Sequence, residues 1–334
     1  MAARDETYIG IDLSNPVRMV LVSGKPPCIL ATETAEIQFD PSNKASLKQL
    51  ASELKEFSRK SSRKPLCVVG LPPGDSILFS TALPPLDDKE VIEVIKHELT
   101  RMLPDKAAEM RATYQVWPDG LPSLPTARPS LEGRTYVVAA AESRSVAAIK
   151  KLIKTAGLAL LAVEVPACAA CRASWLAKNL NWGASISGET KDTSTLRTME
   201  QGSVSRPFGD LSLQISIVVS QDVRMYLSFG PYPWIMREIP LAGEEVHETA
   251  SVLAGEIVRS VRFARSSPGP TSAGVVTLIG KNPEVDMLAE VLRDRIGFEV
   301  DVWALPGVAC PPEYGIAAGL AFRKGGCHGF GTGR

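Results

Sequence analysis

Long apolar runs are missing from this chain, and so is any excess of charge. Lys+Arg and Asp+Glu are equal at 37 each, so no global field draws the protein to nucleic acid or to an anionic membrane. The longest apolar stretch, Gly157 to Ala173, is broken by Glu164 and Pro166 and falls short of the roughly 20 residues that span a bilayer. The first residues, MAARDETYIGIDL, carry acids where a secretory signal would be apolar; this predicts a cytoplasmic location. Histidine is scarce, with His97, His247 and His328 far apart. No Walker loop, GxSxG or HExxH motif occurs. Cysteine is scattered, and only Cys168 and Cys171 form a CxxC. No second pair or nearby histidine completes a zinc set, so PACAACRASWLA reads as a packed helix with two small buried thiols.

What is present is an ordinary globular balance, 45% hydrophobic and 22% charged over 334 residues, which implies two domains. Strands are predicted at 7–13, 17–23 and 28–39, followed by a helix at 46–59 with Leu47, Leu50, Leu54 and Phe57 on one face. Strands at 66–71 and 76–83 precede an amphipathic helix that opens on acidic residues and ends near Met102-Leu103-Pro104. Strands at 112–117 and 135–141, a helix at 145–156, a strand at 159–165 and a helix at 167–178 complete this half. Residues 183–210 are rich in Ser, Thr and Gly and read as a flexible insertion. Three further strands at 211–219, 223–229 and 234–241 are followed by helices at 244–254 and 256–264. A strand at 274–279, a helix at 283–296, a strand at 299–303 and a last helix at 312–323 lead to a tail, 324–334, expected to be disordered.

The two three-strand runs repeat one another. Ser14-Asn15-Pro16-Val17-Arg18-Met19-Val20-Leu21 aligns with Ser220-Gln221-Asp222-Val223-Arg224-Met225-Tyr226-Leu227, five of eight residues being identical, and Gly24 and Gly230 fall at the same offset. Each copy is strand, tight turn, strand, turn, strand, helix. Such a duplication resembles the two halves of the actin-like ATPase fold, in which the turn after each first strand grips a nucleotide phosphate through backbone N–H groups.

Four motifs in order make the resemblance narrower. Leu83-Pro84-Pro85-Leu86-Asp87-Asp88-Lys89-Glu90 through Tyr114-Gln115-Val116, Tyr136–Ala141 with its helix to Gly157, Arg237-Glu238-Ile239-Pro240-Leu241, and Pro312-Glu313-Tyr314-Gly315-Ile316 through Ala321 resemble the PilM family of type IV pilus assembly proteins. The similarity covers most of residues 7–323. It implies an α/β, actin-like (ribonuclease H-like) duplicated fold of two lobes, with an inserted α+β subdomain in the first. The lobes would be 1–182, with the insertion at about 66–160, and 211–323. It also implies a scaffold on the cytoplasmic face of the inner membrane, held there by partners. Those partners would be the N-terminal cytoplasmic peptide of a PilN-like membrane protein, in a groove whose residues stay unassigned, and other pilus assembly components. The related secretion component GspL continues into a transmembrane helix; its absence here favours the PilM comparison.

The same resemblance nominates a nucleotide site, and there the sequence departs from the family. Asp12, Ser14 and Asn15 form the first turn, Ser220, Gln221 and Asp222 the second, and Gly280 with Lys281 the adenosine side. Asp12 would hold Mg2+ through water on an ATP complex. Pro16 removes a backbone donor from the first turn. In the second, Val219 stands where the family has glycine and the strand-end acid is missing. One glycine remains of the adenosine motif. These departures predict weak or absent ATP binding and negligible hydrolysis. An active ATPase governing pilus or secretion assembly, and an actin-fold sugar or acyl kinase, are the competing readings.

Overall fold

The computed structural model describes residues 6–23, 28–118, 121, 133–179, 213–220, 222–240, 245–265, 273–305, 308–323 and 330–331. Its centre is two mixed sheets of one design. The first joins β1 (Thr7–Asp12), β2 (Val17–Ser23), β3 (Cys28–Ala35), β4 (Leu66–Gly70) and β8 (Ala159–Glu164) in the order β3-β2-β1-β4-β8. The second joins β9 (Leu213–Val219), β10 (Val223–Phe229), β11 (Tyr232–Ile239), β12 (Ala273–Ile279) and β13 (Val300–Val302) in the order β11-β10-β9-β12-β13. In both, the first three strands run antiparallel and the last two lie parallel to the first. Strands β2 and β10 begin and end at equivalent positions of the sequence repeat, so the duplication is one of structure as well as of sequence.

Helices bind the sheets together. Helix α1 (Lys44–Ser58) and α3 (Ser143–Thr155) pack side by side on the first sheet. Asn43 starts α1 by accepting from the N–H groups of Ala45 and Ser46. Helix α4 (Pro166–Asn179) leaves the first sheet and packs on β9, β10 and β11 of the second. The last helix, α7 (Gly315–Ala321), crosses back onto β1, β2 and β4 and lies against α4. Both helices are buried nearly all round, which is why their sequences are mostly Ala, Gly and Cys. Cys168 and Cys171 are buried in this packing, as the segment's composition implied.

The approach is close enough to exclude even a methyl group. A Cβ on Gly10 of β1 would lie 1.9 Å from the Ala317 carbonyl oxygen, and one on Gly319 would lie 2.1 Å from that of Ala169. At the same crossing Arg172, 2% exposed, donates to the Gly319 carbonyl at 2.6 Å and to both oxygens of Glu164 at 3.1 and 3.2 Å. Arg323 reaches Glu164 from the end of the chain's last helix at 2.8 Å. Trp303 donates its indole N–H to the Ala173 carbonyl at 3.0 Å.

A third sheet, β5 (Ser76–Leu83), β6 (Met110–Val116) and β7 (Arg134–Glu142), in the order β5-β7-β6, carries α2 (Asp88–Met102) on one face. Asp87 and Glu90 close a reciprocal capping box at the start of α2. These elements form an α+β unit within the span of about 66–160 expected for an insertion. Strand β4 pairs with β1 and β8, and α3 packs on β8, so both belong to the first lobe. The unit spans 76–142, and Trp117 carries it onto Phe229 of the second lobe, with ring centroids 6.3 Å apart.

Three expectations change. The two helices predicted at 244–254 and 256–264 are one, α5 (Val246–Arg265). Gly255 sits on its exposed side with no atom near its would-be Cβ, so the glycine costs about 1 kcal/mol without breaking the helix. The second lobe does not simply end at 323, because α7 serves the first sheet. Within the tail expected to be disordered, Phe330–Gly331 form a short strand, β14, antiparallel to β8, where the sheet edge offers backbone partners. The insertion at 183–210 lies outside the described residues. Helix α6 (Glu284–Arg295) completes the second lobe.

Glu164→Ala would leave Arg172 buried and uncompensated. Urea unfolding is expected to show a loss of about 3–5 kcal/mol, and Gly319→Ala about 1–3 kcal/mol from overpacking. Wild-type midpoints for both variants would disprove this account of the crossing.

Candidate functional site

The cleft between the lobes is built from the matching ends of the two repeats. Strand β1 ends at Asp12 and β9 at Val219, and the turns after them feed β2 and β10. Asp12 is 4% exposed. One of its oxygens accepts from the Ser14 N–H at 3.0 Å and the other from the Ser14 hydroxyl at 2.8 Å. The first turn is therefore folded onto its own carboxylate. Burial pushes the Asp12 carboxyl up, while the two Ser14 donations and the charges of Arg18 and Arg224 pull it down; burial prevails.

The second turn is closed by its own contacts too. The Ser220 hydroxyl donates to the Asp222 carbonyl at 2.8 Å. Arg224, buried, reaches Asp222 at 3.1 Å and Glu238 at 3.3 Å. Arg18 and Arg224 occupy equivalent positions in β2 and β10, and both act on the one acid, Asp12, at the floor of the cleft. Arg18 donates to the Pro16 carbonyl at 3.4 Å, and its Nε is buried without a hydrogen-bond partner.

The inner cleft has a volume of about 30 Å³ and is lined by Asp12, Ser14, Arg18, Val219, Ser220, Arg224, Tyr226 and Gly280, with Glu313 and Ile316. That is room for about one water molecule, whereas small-molecule sites run to about 300–1,000 Å³. Gly280 is closely packed. A Cβ there would meet the Val219 carbonyl oxygen at 2.7 Å and Val285 at 2.8 Å. Outside lies a wider mouth of about 430 Å³, lined by Ser14, Asn15, Asp40, Asp75, Arg144, Ser220 and Asp222 among others. Three carboxyl groups face one guanidinium there. Asp75 accepts from the Ser145 hydroxyl at 2.6 Å, and burial raises its carboxyl above the usual range.

Among the residues nominated from sequence, Asp12, Ser14, Ser220 and Gly280 thus meet in the inner cleft, and Asn15 and Asp222 stand at its mouth. Lys281 is exposed and lines neither cavity. Gln221 lies outside the described residues. Sequence reasoning missed Arg18, Arg224 and Tyr226. The signal for the arginines was available, since they are an identical pair within the repeat. His97 and His247 are exposed and remote from the cleft lining.

No protein-family model matches the chain, and no curated protein matches it either. Solved structures do. A chain of the PilM–PilN type IV pilus biogenesis complex aligns over 94% of this chain and 97% of its own, with a TM-score of 0.65 and 19% identity. The cytoplasmic domain of EpsL, an inner-membrane component of the type II secretion system of Vibrio cholerae, aligns over 96% of each chain with a TM-score of 0.49 and 10% identity. The ethanolamine utilization protein EutJ of Carboxydothermus hydrogenoformans covers 96% of this chain and 90% of its own, with a TM-score of 0.46 and 12% identity. The first alignment, with the two sheets of identical order, establishes the fold as actin-like.

Asp12 also gives a pH signature. Below its ordinary value of 3.8 the carboxyl is protonated whether folded or unfolded and contributes nothing. Above 3.8 the unfolded chain ionises first, so stability falls until the raised folded-state carboxyl ionises as well. Asp12→Asn keeps an acceptor for Ser14 and removes that loss. Its melting temperature is expected to exceed wild type at pH 7 by more than at pH 4. An equal difference at both would contradict a buried carboxylate held at a cost.

Proposed function

We propose that the protein is an actin-like scaffold of type IV pilus assembly, of the PilM kind. In this reading it binds the cytoplasmic N-terminal peptide of a PilN-like inner-membrane protein and works at the cytoplasmic face among other assembly components. ATP and Mg2+ binding is weakened or lost, and no ATPase activity accompanies the role. One observation carries the loss of nucleotide binding: the inner cleft, about 30 Å³, is occupied by the protein's own groups. Asp12 spends both oxygens on Ser14, Arg224 is engaged by Asp222 and Glu238, and Val219 packs closely against Gly280 in the cleft lining. The mouth is wide enough for a ligand, but its three acids oppose a triphosphate, whose charge is also negative.

The scaffold role is supported by the fold shared with a chain of the PilM–PilN complex over nearly its whole length and by the four motifs in matching order. Among the described residues no helix is long and apolar enough to cross a membrane, in keeping with attachment through a partner.

Two measurements test the reading separately. Saturating Mg-ATP is expected to leave the melting temperature unchanged, whereas a true ligand at a hundred times its Kd would stabilise the fold by about 2.7 kcal/mol. A clear upward shift, or turnover above background, would replace the scaffold reading with the ATPase one. An immobilised PilN-type N-terminal peptide is expected to retain the protein, and a scrambled peptide to leave it in solution. Equal retention by both would remove the peptide from the proposal.

A further inference from the structure

The protein has no net charge, yet one of its faces is strongly basic. The segment from Lys44 to Lys64, which is α1 and its exit turn, holds seven basic residues and two acidic ones. Helix α3 holds four basic residues and no acid. The two helices pack against each other on the first sheet and turn their apolar residues inward. On α1, Lys44, Lys48, Lys55 and Arg59 recur at helical spacing and are all exposed. On α3, Lys150, Lys151 and Lys154 are likewise exposed. The ion pairs of Lys60 with Glu33 and of Arg144 with Glu142 engage neither row.

We infer that this α1–α3 face docks onto an anionic lipid bilayer, directly and independently of the cleft. Packed helices stand about 8–10 Å apart, which matches the screening length of about 8–10 Å at ordinary salt, so the two rows act as one field. Along α1 the row extends about 22 Å, a broad outward face suited to a surface of headgroups. Its make-up argues for lipid over nucleic acid. Lysine dominates, a compact point charge without the planar fork that reads phosphate geometry. The two rows carry no aromatic side chain for base stacking. No apolar residue of the rows is exposed to insert into acyl chains, so attachment rests on charge and is reversed by salt.

Cosedimentation with phosphatidylglycerol-containing vesicles tests the inference, using the full chain and pure phosphatidylcholine vesicles as reference. Binding is expected to the anionic vesicles at low salt and to disappear at high salt. Each basic residue near such a surface contributes about a fivefold gain, so K44Q/K48Q/K55Q/R59Q is expected to bind at least about tenfold more weakly. K150Q/K151Q/K154Q should weaken binding in the same direction. K89Q/K96Q, on α2 of the inserted unit, is the control and should bind as wild type. Thermal melts of each variant establish that it is folded. Three results would overturn the inference: equal sedimentation with both vesicle types, no loss in either folded multiple variant, or tighter binding to random-sequence duplex DNA than to anionic vesicles at the same salt. Vesicle binding is read without nucleotide or peptide, so its failure leaves the scaffold reading intact.

Discussion

The lobes meet through backbone, and that contact limits everything else in the molecule. Helix α7 lies so near β1 and α4 that Gly10 and Gly319 leave no room for a side chain. Such proximity brings dispersion contacts along two whole helices and allows Arg172 to bond a helix carbonyl while holding Glu164. A buried ion pair adds little by itself. Here it also fixes the rotation of α4 relative to the last helix, because its partners lie on three separate elements, β8, α4 and the end of α7.

That fixed junction sets the spacing of the two turns. Strand β1 runs from the junction to Asp12, and β9, covered by α4, runs to Val219. With both strands anchored, the interval between the turns is filled from within. Arg18, opposite Asp12 in the β1–β2 pair, and Arg224 of the other repeat both lower the Asp12 carboxyl through their charge, against the larger effect of burial. An actin-like architecture needs the strand order and the small-residue helices; nucleotide chemistry would need, in addition, unoccupied donors and an entry for phosphate.

Much of this was legible from the amino-acid sequence. The strand repeat, Val17–Ser23 against Val223–Phe229, was read with the bounds the structure has, because alternation, turn residues and identity all pointed the same way. Helix α4 was legible as a buried helix from its Ala and Cys content. The sheet to which β4 and β8 belong was not legible, because both are short apolar strands whose placement is decided by partners distant in the chain. Gly255 looked like a helix break, but on an exposed face it only lowers helix propensity. Gly280 stands at the cleft with the other nominated residues, and Val219 and Val285 lie too close to it to admit a side chain. Arg18 lies opposite Asp12 in the β1–β2 pair, a local relation, whereas the approach of Arg224 from the second repeat depends on lobe placement, which no local pattern encodes.

Charge followed the same rule of being visible only once placed. Equal totals of acid and base exclude a field felt at long range, since beyond one screening length the contributions cancel. They say nothing about a face narrower than that length. Lysines on α1 and α3 are separated by about a hundred residues of sequence, and each helix alone is an ordinary solvated surface. Once the two lie together on the first sheet, their rows fall within one screening length and act in concert, outnumbering the two acids of α1, while other acids lie elsewhere, three of them around the cleft mouth. A chain that reads as neutral is then polarised in three dimensions. Three acids stand at its cleft mouth, and two basic rows stand on its α1–α3 face.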